Sequence, residues 1–246
     1  MQAVIVIPAR YGSSRLPGKP LAHIQGKPLI AHVYEQASRA TRFSRVLVAT
    51  DDVRIADVIE KIGGQAIMTS DAHTSGTDRV AEAVQELDAD IVVNLQGDEP
   101  FIDPRDLDAV ADALAQDPSA EMATLKQPIL DERDFFDPNV VKVACDDRGY
   151  ALYFSRAGIP YHRGGNFIGA FRHVGVYAYR RDFLMAFASA QKSTLEDREN
   201  LEQLRALSMG AKIRMIDAHS RSIGIDTPED LERAQHHSAK GGHVYG

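Results

Sequence analysis

The stretch Ala3-Val4-Ile5-Val6-Ile7-Pro8-Ala9-Arg10-Tyr11-Gly12-Ser13-Ser14-Arg15-Leu16-Pro17-Gly18-Lys19-Pro20 decides how the rest of the chain is read. Its first five residues form the unbroken apolar run of a strand buried on both faces. They lead into a glycine, serine and proline loop carrying three cations, Arg10, Arg15 and Lys19. Small residues let backbone N–H groups approach phosphate oxygens, and the cations neutralise charge on a leaving group, so the loop suits a triphosphate. Gly12 and Gly18 enclose five residues rather than the four of a Walker loop, and Pro20 follows Lys19 where Ser or Thr is required. No Gly-x-Gly-x-x-Gly occurs, which removes the usual dinucleotide fingerprint.

Similar short runs recur at Arg45 to Ala49, Gln65 to Met68 and Ile91 to Leu95, separated by helical patterns that open at Pro28 and span Val53 to Ile62 and Thr77 to Leu87. Alternating strands and helices predict βαβ crossovers and a mostly parallel, Rossmann-like α/β sheet with ligands bound at the strands' carboxyl ends. From about 122 to 180 the pattern turns β-rich (Val140 to Cys145, Ala151 to Phe154, His173 to Tyr179), a smaller mixed-sheet excursion suited to dimerisation. A helix from about Leu195 to Met209, a strand at Ile213 to Ile216 and a helix capped by Thr227, Pro228 and Asp230 follow. The 246 residues are expected to form a single domain, with 236–246 a frayed tail whose His236, His237 and His243 are solvated.

With 44% hydrophobic and 26% charged residues the chain can bury a core, and no apolar run approaches the ~20 residues that span a bilayer. The lone Cys145 allows no internal disulfide and no thiolate metal site, and reads as a small core residue in a cytoplasmic protein. Residues 1–50 hold seven Lys and Arg against one acid, Glu35, although the whole chain carries a net charge of −7. That distribution disfavours a nucleic-acid footprint and favours a small polyanion at the N-terminal end.

Two carboxylates follow strands: Asp98 in Asn94-Leu95-Gln96-Gly97-Asp98-Glu99-Pro100 and Asp226 in Ile223-Gly224-Ile225-Asp226. Mg²⁺ takes one or two carboxylates together with substrate phosphates, so both are candidate ligands, and spacing alone leaves open whether they meet. Thr74-Ser75-Gly76-Thr77-Asp78-Arg79 opens a helix whose N-terminus suits a ribose or base, or is simply an N-cap. Arg156, His173, Tyr177, and the i, i+3, i+4 set Glu199, Glu202 and Gln203 supply polar groups for a polyhydroxylated acid; taken from the residues alone, a solvated helix face, a core histidine and a core aromatic account for them better.

Beyond these separate signals, the chain resembles the cytidylyltransferases that make CMP-3-deoxy-D-manno-octulosonate (CMP-Kdo synthetases). The resemblance runs in order through Pro8 to Leu21, Val48 to Asp51, Ser75 to Arg79, Val93 to Pro100, Val141 to Val143, Tyr150 to Arg156, Arg172-His173, Leu201 to Arg205 and Asp226 to Leu231. It implies a nucleotide-diphospho-sugar transferase fold, a homodimer, CTP and Kdo as substrates, Mg²⁺ as cofactor, and a cytoplasmic role in lipopolysaccharide synthesis. It also implies that Arg10 and Lys19 hold the triphosphate, Ser75 and Arg79 the nucleoside, and Asp98 and Asp226 magnesium. Ala9, Ser13 and Gln96 would complete the nucleotide site, and Arg156, His173, Tyr177, Glu202 and Gln203 would bind the sugar acid. Catalysis is expected to rest on Arg10, Lys19, Asp98 and Asp226, without a side-chain base.

Overall fold

The structure, a computed structural model, describes residues 1–12, 16–165, 167–220 and 224–237. The chain divides into two compact units. The first comprises Val4–Asp88, Asn94–Pro104 and the described residues from Ser220 onward. It begins with β1 (Ala3–Ala9), in which Val4 to Ile7 are 0–1% exposed, as the apolar run predicts. A two-stranded hairpin, β2 (His23–Ile24) and β3 (Lys27–Pro28), precedes α1 (Leu29–Ala37), and β4 (Arg45–Thr50) then pairs parallel with β1. Next come α2 (Val53–Lys61), β5 (Gln65–Met68), which pairs parallel with β4, and α3 (Gly76–Ala83). Asp52 caps α2 by accepting from the Arg54 N–H at 2.9 Å, and Ser75 caps α3 by accepting from the Asp78 N–H at 3.1 Å.

β6 (Ile91–Leu95) is fully buried and has residues in both units, with Asn94 and Leu95 in the first. The second unit holds Arg105–His219 with Ala89–Val93 and Met1–Ala3. It contains α4 (Pro104–Gln116) from Arg105 on, β7 (Met122–Ile129), α5 (Glu132–Phe136), β8 (Lys142–Cys145) and β9 (Ala151–Ser155). β10 (Ala170–Arg180) pairs antiparallel with β7 and β8, and β8 antiparallel with β9. α6 (Arg181–Ser189), α7 (Thr194–Glu199), α8 (Gln203–Ser208) and β11 (Ile213–Asp217), parallel to β7, complete it. Phe154, Tyr179 and Phe187, all at most 1% exposed, anchor its core. The α/β class read from the sequence is thus observed, with β1, β4 and β5 parallel in the first unit beside the small β2–β3 hairpin, and mixed pairing in the second.

Three features depart from the sequence pattern. The single helix expected over Leu195 to Met209 is broken: Asn200 adopts a left-handed conformation (φ 51°) and the Leu201 N–H closes on the Glu196 carbonyl at 3.3 Å, ending α7. Glu199 therefore does not share a helix face with Glu202 and Gln203. Against β7, β10 advances three residues between Val174 and Tyr177 while its partner advances one, from Leu125 to Thr124, so Gly175 and Val176 form a bulge. Cys145 is half-buried at the end of β8 rather than in the core, and burial raises its thiol pKa.

In the first unit, α9 (Pro228–His237) starts as the pattern predicts. Thr227 Oγ1 accepts from the Asp230 N–H at 3.2 Å, and the Asp230 carboxylate accepts in return from the Thr227 and Asp226 N–H groups at 3.0 Å. His236 and His237 belong to this helix; residues 238–246, including His243, lie outside the described residues.

Candidate active site

The carboxyl ends of β1 and β6 and the N-terminus of α3 surround one cleft in the first unit. Ala9, Arg10, Lys19, Ser75, Arg79, Gln96, Asp98 and Asp226 all line it, so the structure brings together every nucleotide and metal candidate except Ser13. Ser13, with Ser14 and Arg15, lies outside the described residues. The cationic loop is tied where it leaves and re-enters the fold: the Gly18 N–H donates to the Tyr11 carbonyl at 3.2 Å, and Gly18 has φ 67°. A Cβ at Gly18 would stand 3.1 Å from the Tyr11 ring, and the Arg54 guanidinium carbon lies over that ring, 3.6 Å from its centroid. Close approach also governs Gly97, where a Cβ would lie 3.0 Å from the Pro8 carbonyl oxygen.

Lys19 is the centre of the cleft. Its Nζ donates to Asp98 Oδ2 at 2.7 Å and to Asp226 Oδ1 at 3.0 Å. The contact is made possible by a backbone bond, from the Ile225 N–H to the Asp98 carbonyl at 2.9 Å, which fastens the turn after β6 to the approach to α9. Burial alone would lower the Lys19 pKa, but the charges and hydrogen bonds of the two aspartates outweigh it and hold the ammonium above the ordinary lysine range. Two carboxylates from distant segments therefore converge on one cation. That donor set fits Mg²⁺, which accepts one or two carboxylates and draws its other oxygens from phosphate and water. Among the described residues no group of three or more His, Cys, Asp or Glu side chains could hold a metal without such help.

Arg79 is 3% exposed, with Nη1 donating to Thr69 Oγ1 at 2.5 Å and Nη2 to Asp51 Oδ2 at 2.8 Å. His73 also lines the cleft and pairs with Glu82. His73 does not stand out in the sequence, and Asp51 does so only as the end of the Val48 to Asp51 block of the resemblance, with no role attached to it.

The five sugar-acid candidates lie in the second unit. The bulge sets His173 beside Tyr177, ring centroids 5.3 Å apart, where four residues of regular strand would separate them by about 13 Å. The Tyr177 hydroxyl donates to Gln203 Oε1 at 3.4 Å. Burial, with the Arg172 cation adding to it, pushes the His173 pKa down to about 3, so the ring is neutral at physiological pH. Burial and the Glu202 charge raise the Tyr177 pKa. Glu202 pairs with Arg205 at 3.0 Å. Arg156 donates to the carbonyls of Glu199 (2.7 Å), Pro138 (3.0 Å) and Asn200 (3.4 Å). Its own carbonyl accepts from the buried Lys142 ammonium at 2.6 Å, and Glu199 accepts from the Ser155 hydroxyl and the Arg156 N–H.

Known proteins share this architecture. A family model described as Cytidylyltransferase matches residues 4–213. The 3-deoxy-manno-octulosonate cytidylyltransferase of Trichlorobacter lovleyi is 50% identical over 253 residues, covering 98% of this chain and 100% of that protein. Its counterpart in Syntrophotalea carbinolica is 51% identical over 246 residues, covering 96% and 98%. A solved structure of CMP:2-keto-3-deoxy-manno-octonic acid synthetase complexed with CTP has a TM-score of 0.94 at 46% identity, covering 98% of this chain and 99% of that one. The chain belongs to the cytidylyltransferase family, and within it to the 3-deoxy-manno-octulosonate cytidylyltransferases.

Proposed function

We propose that this protein transfers the cytidylyl group of CTP to 3-deoxy-D-manno-octulosonate, releasing pyrophosphate and forming CMP-Kdo for lipopolysaccharide synthesis. The observation that carries the reading is the Lys19, Asp98 and Asp226 cluster in a cleft that Arg10, Ser75, Arg79 and Gln96 also line; the names and identities of the relatives support the substrates. Arg10 and Lys19 hold the triphosphate and offset the charge that grows on pyrophosphate as it leaves. Ser75 and the N-terminus of α3 face the nucleoside, and Arg79, fixed by Asp51, adds positive charge from a buried position. The anomeric oxygen of the sugar acid forms a bond to the α-phosphorus, the bond to the bridging oxygen of pyrophosphate breaks, and the hydroxyl proton passes to solvent. Asp98 and Asp226 would hold Mg²⁺, which when bound supplies charge neutralisation and acidifies the attacking hydroxyl. His173, Tyr177, Glu202 and Gln203 bind the sugar acid, and Arg156 braces the backbone around them.

Pyrophosphate release with CTP and Mg²⁺ tests the reading, with Kdo, 8-amino-Kdo or N-acetylneuraminate added in parallel and UTP as control. Release with CTP and Kdo alone is expected. Preference for another acid keeps the chemistry and moves the substrate, while silence with every pair overturns the enzyme.

No helix among the described residues is long and apolar enough to cross a membrane, and a cytoplasmic setting belongs to the same proposal. A homodimer through the second unit fits the exposure of Leu130, Phe136, Tyr161 and Ile168, each 67–88% exposed. Sedimentation equilibrium is expected to give twice the chain mass, falling to the chain mass in Phe136→Glu; a monomeric wild type refutes the dimer.

A further inference from the structure

A buried threonine in the second unit meets both the β10 bulge and a sugar-acid candidate. Thr124 lies opposite Tyr177 in β7 and is fully buried. Its Oγ1 sits 2.7 Å from the Val176 carbonyl oxygen, 3.2 Å from that of Val174, and 2.9 Å from His173 Nε2. A hydroxyl has one proton, and two oxygens 2.7 Å apart need a proton between them. The Val176 carbonyl has none to give, so the Thr124 hydroxyl donates to the bulge. Its lone pairs then face His173, and the contact at Nε2 is a hydrogen bond only if Nε2 carries the ring proton. The ring also packs against Phe154, edge-on with centroids 5.1 Å apart, and against Tyr177 at 5.3 Å.

We propose that Thr124 is a positioning residue of the sugar-acid site: it fixes His173 as the Nε2–H tautomer, so that Nδ1 presents a lone pair and accepts a hydrogen bond from a hydroxyl of the sugar. The neighbouring Gln203 contributes the opposite polarity, because its buried Nε2 donor finds no partner among the described residues while its Oε1 accepts from Tyr177. A substrate hydroxyl that donates to His173 and an oxygen that accepts from Gln203 satisfy both. The carbonyls of a β-bulge thus choose, through one hydroxyl, which nitrogen of the histidine reads the ligand.

The sugar half of this inference rests on the proposed reaction; the tautomer half does not. The full-length chain with ¹⁵N-labelled histidine, without ligand, is examined by long-range ¹H–¹⁵N correlation, with His173→Gln used to assign the signal. The wild type is expected to show a protonated Nε2 and an unprotonated Nδ1, and Thr124→Ser to keep that pattern. Thr124→Val is expected to lose it and to raise the KM for the accepted acid sugar about tenfold, the scale of one lost hydrogen bond. The KM for CTP should stay unchanged, and Thr124→Ser should remain near wild type. A wild-type His173 protonated at Nδ1 overturns the proposal whether or not Thr124→Val folds. An unchanged KM for the acid sugar in a Thr124→Val protein that has lost the tautomer overturns the sugar half. Absence of turnover with any acid refutes the proposed reaction instead, and the tautomer of the wild type still decides the role of Thr124.

Discussion

Asp98→Asn is expected to cut pyrophosphate release by about 10²–10³-fold, the cost of removing one preorganised electrostatic group, while the thermal unfolding midpoint stays close to that of the wild type. The substitution is nearly isosteric and preserves the backbone carbonyl that accepts from the Ile225 N–H, so the two segments of the cleft remain fastened. What it removes is one of the two negative charges facing Lys19 Nζ. The ammonium then faces one full negative charge, that of Asp226, and a divalent cation held by the two aspartates would lose one of them. A second signature separates this account from a general loss of fit: residual activity should demand a higher Mg²⁺ concentration than the wild type. Near-normal turnover at ordinary Mg²⁺ would sink the assignment of Asp98.

Arg205→Met should have the largest effect on stability. Arg205 and Glu196 are each 7% exposed at the side chain and meet in a two-point pair, Nε to Oε2 and Nη2 to Oε1, both at 2.8 Å. Arg205 Nη1 also donates to the Phe187 carbonyl at 3.0 Å, and its guanidinium carbon lies 4.6 Å from the centroid of the Phe187 ring. Methionine approximates the volume but leaves a buried carboxylate without its cation, which costs about 3–5 kcal/mol and lowers the Tm by roughly 10 °C for a chain of this size. The same change frees Glu202 from its 3.0 Å bond to Nη2, so the KM for the acid sugar should rise as well. Replacing Glu196 by Met in addition removes the stranded charge and should recover much of the Tm. A double variant no more stable than Arg205→Met contradicts the buried-charge account.

Local signals in the sequence were sufficient for the parallel half of the protein. Apolar runs marked β1, β4, β5 and β6, and the Thr227, Pro228, Asp230 spacing marked the start of α9, because each depends on residues within a few positions of one another. α4 carries Pro104 at its first helical position and Asp106 in its first turn, the same kind of signal, and is absent from the helices read. The break at Asn200 was hidden by apolar spacing that continues from Leu195 to Leu204 on either side of one left-handed residue. His173-Val174-Gly175-Val176-Tyr177 reads as ordinary alternation; only the partner strand reveals that two residues are extra. For the site, residue types were legible and their meeting was not. A lysine at 19 and carboxylates at 98 and 226 each suit phosphate or metal chemistry, but their convergence is a tertiary fact. Thr124 gave no signal, since a threonine in an apolar strand is what β-propensity alone would place there.

The sequence separation of 207 between Lys19 and Asp226 also imposes an order on assembly during translation. Chains tend to fold from the N-terminus as they emerge from the ribosome, and here the strands that seat Arg10, Lys19 and Asp98 emerge well before Asp226 does. Residues 105–219, most of the second unit, are synthesised in the interval. A nascent chain halted anywhere within them carries the cationic loop and one aspartate but lacks the second, and with it the Ile225 bond that fastens the cleft. Products terminated within that interval therefore lack the second carboxylate that meets Lys19.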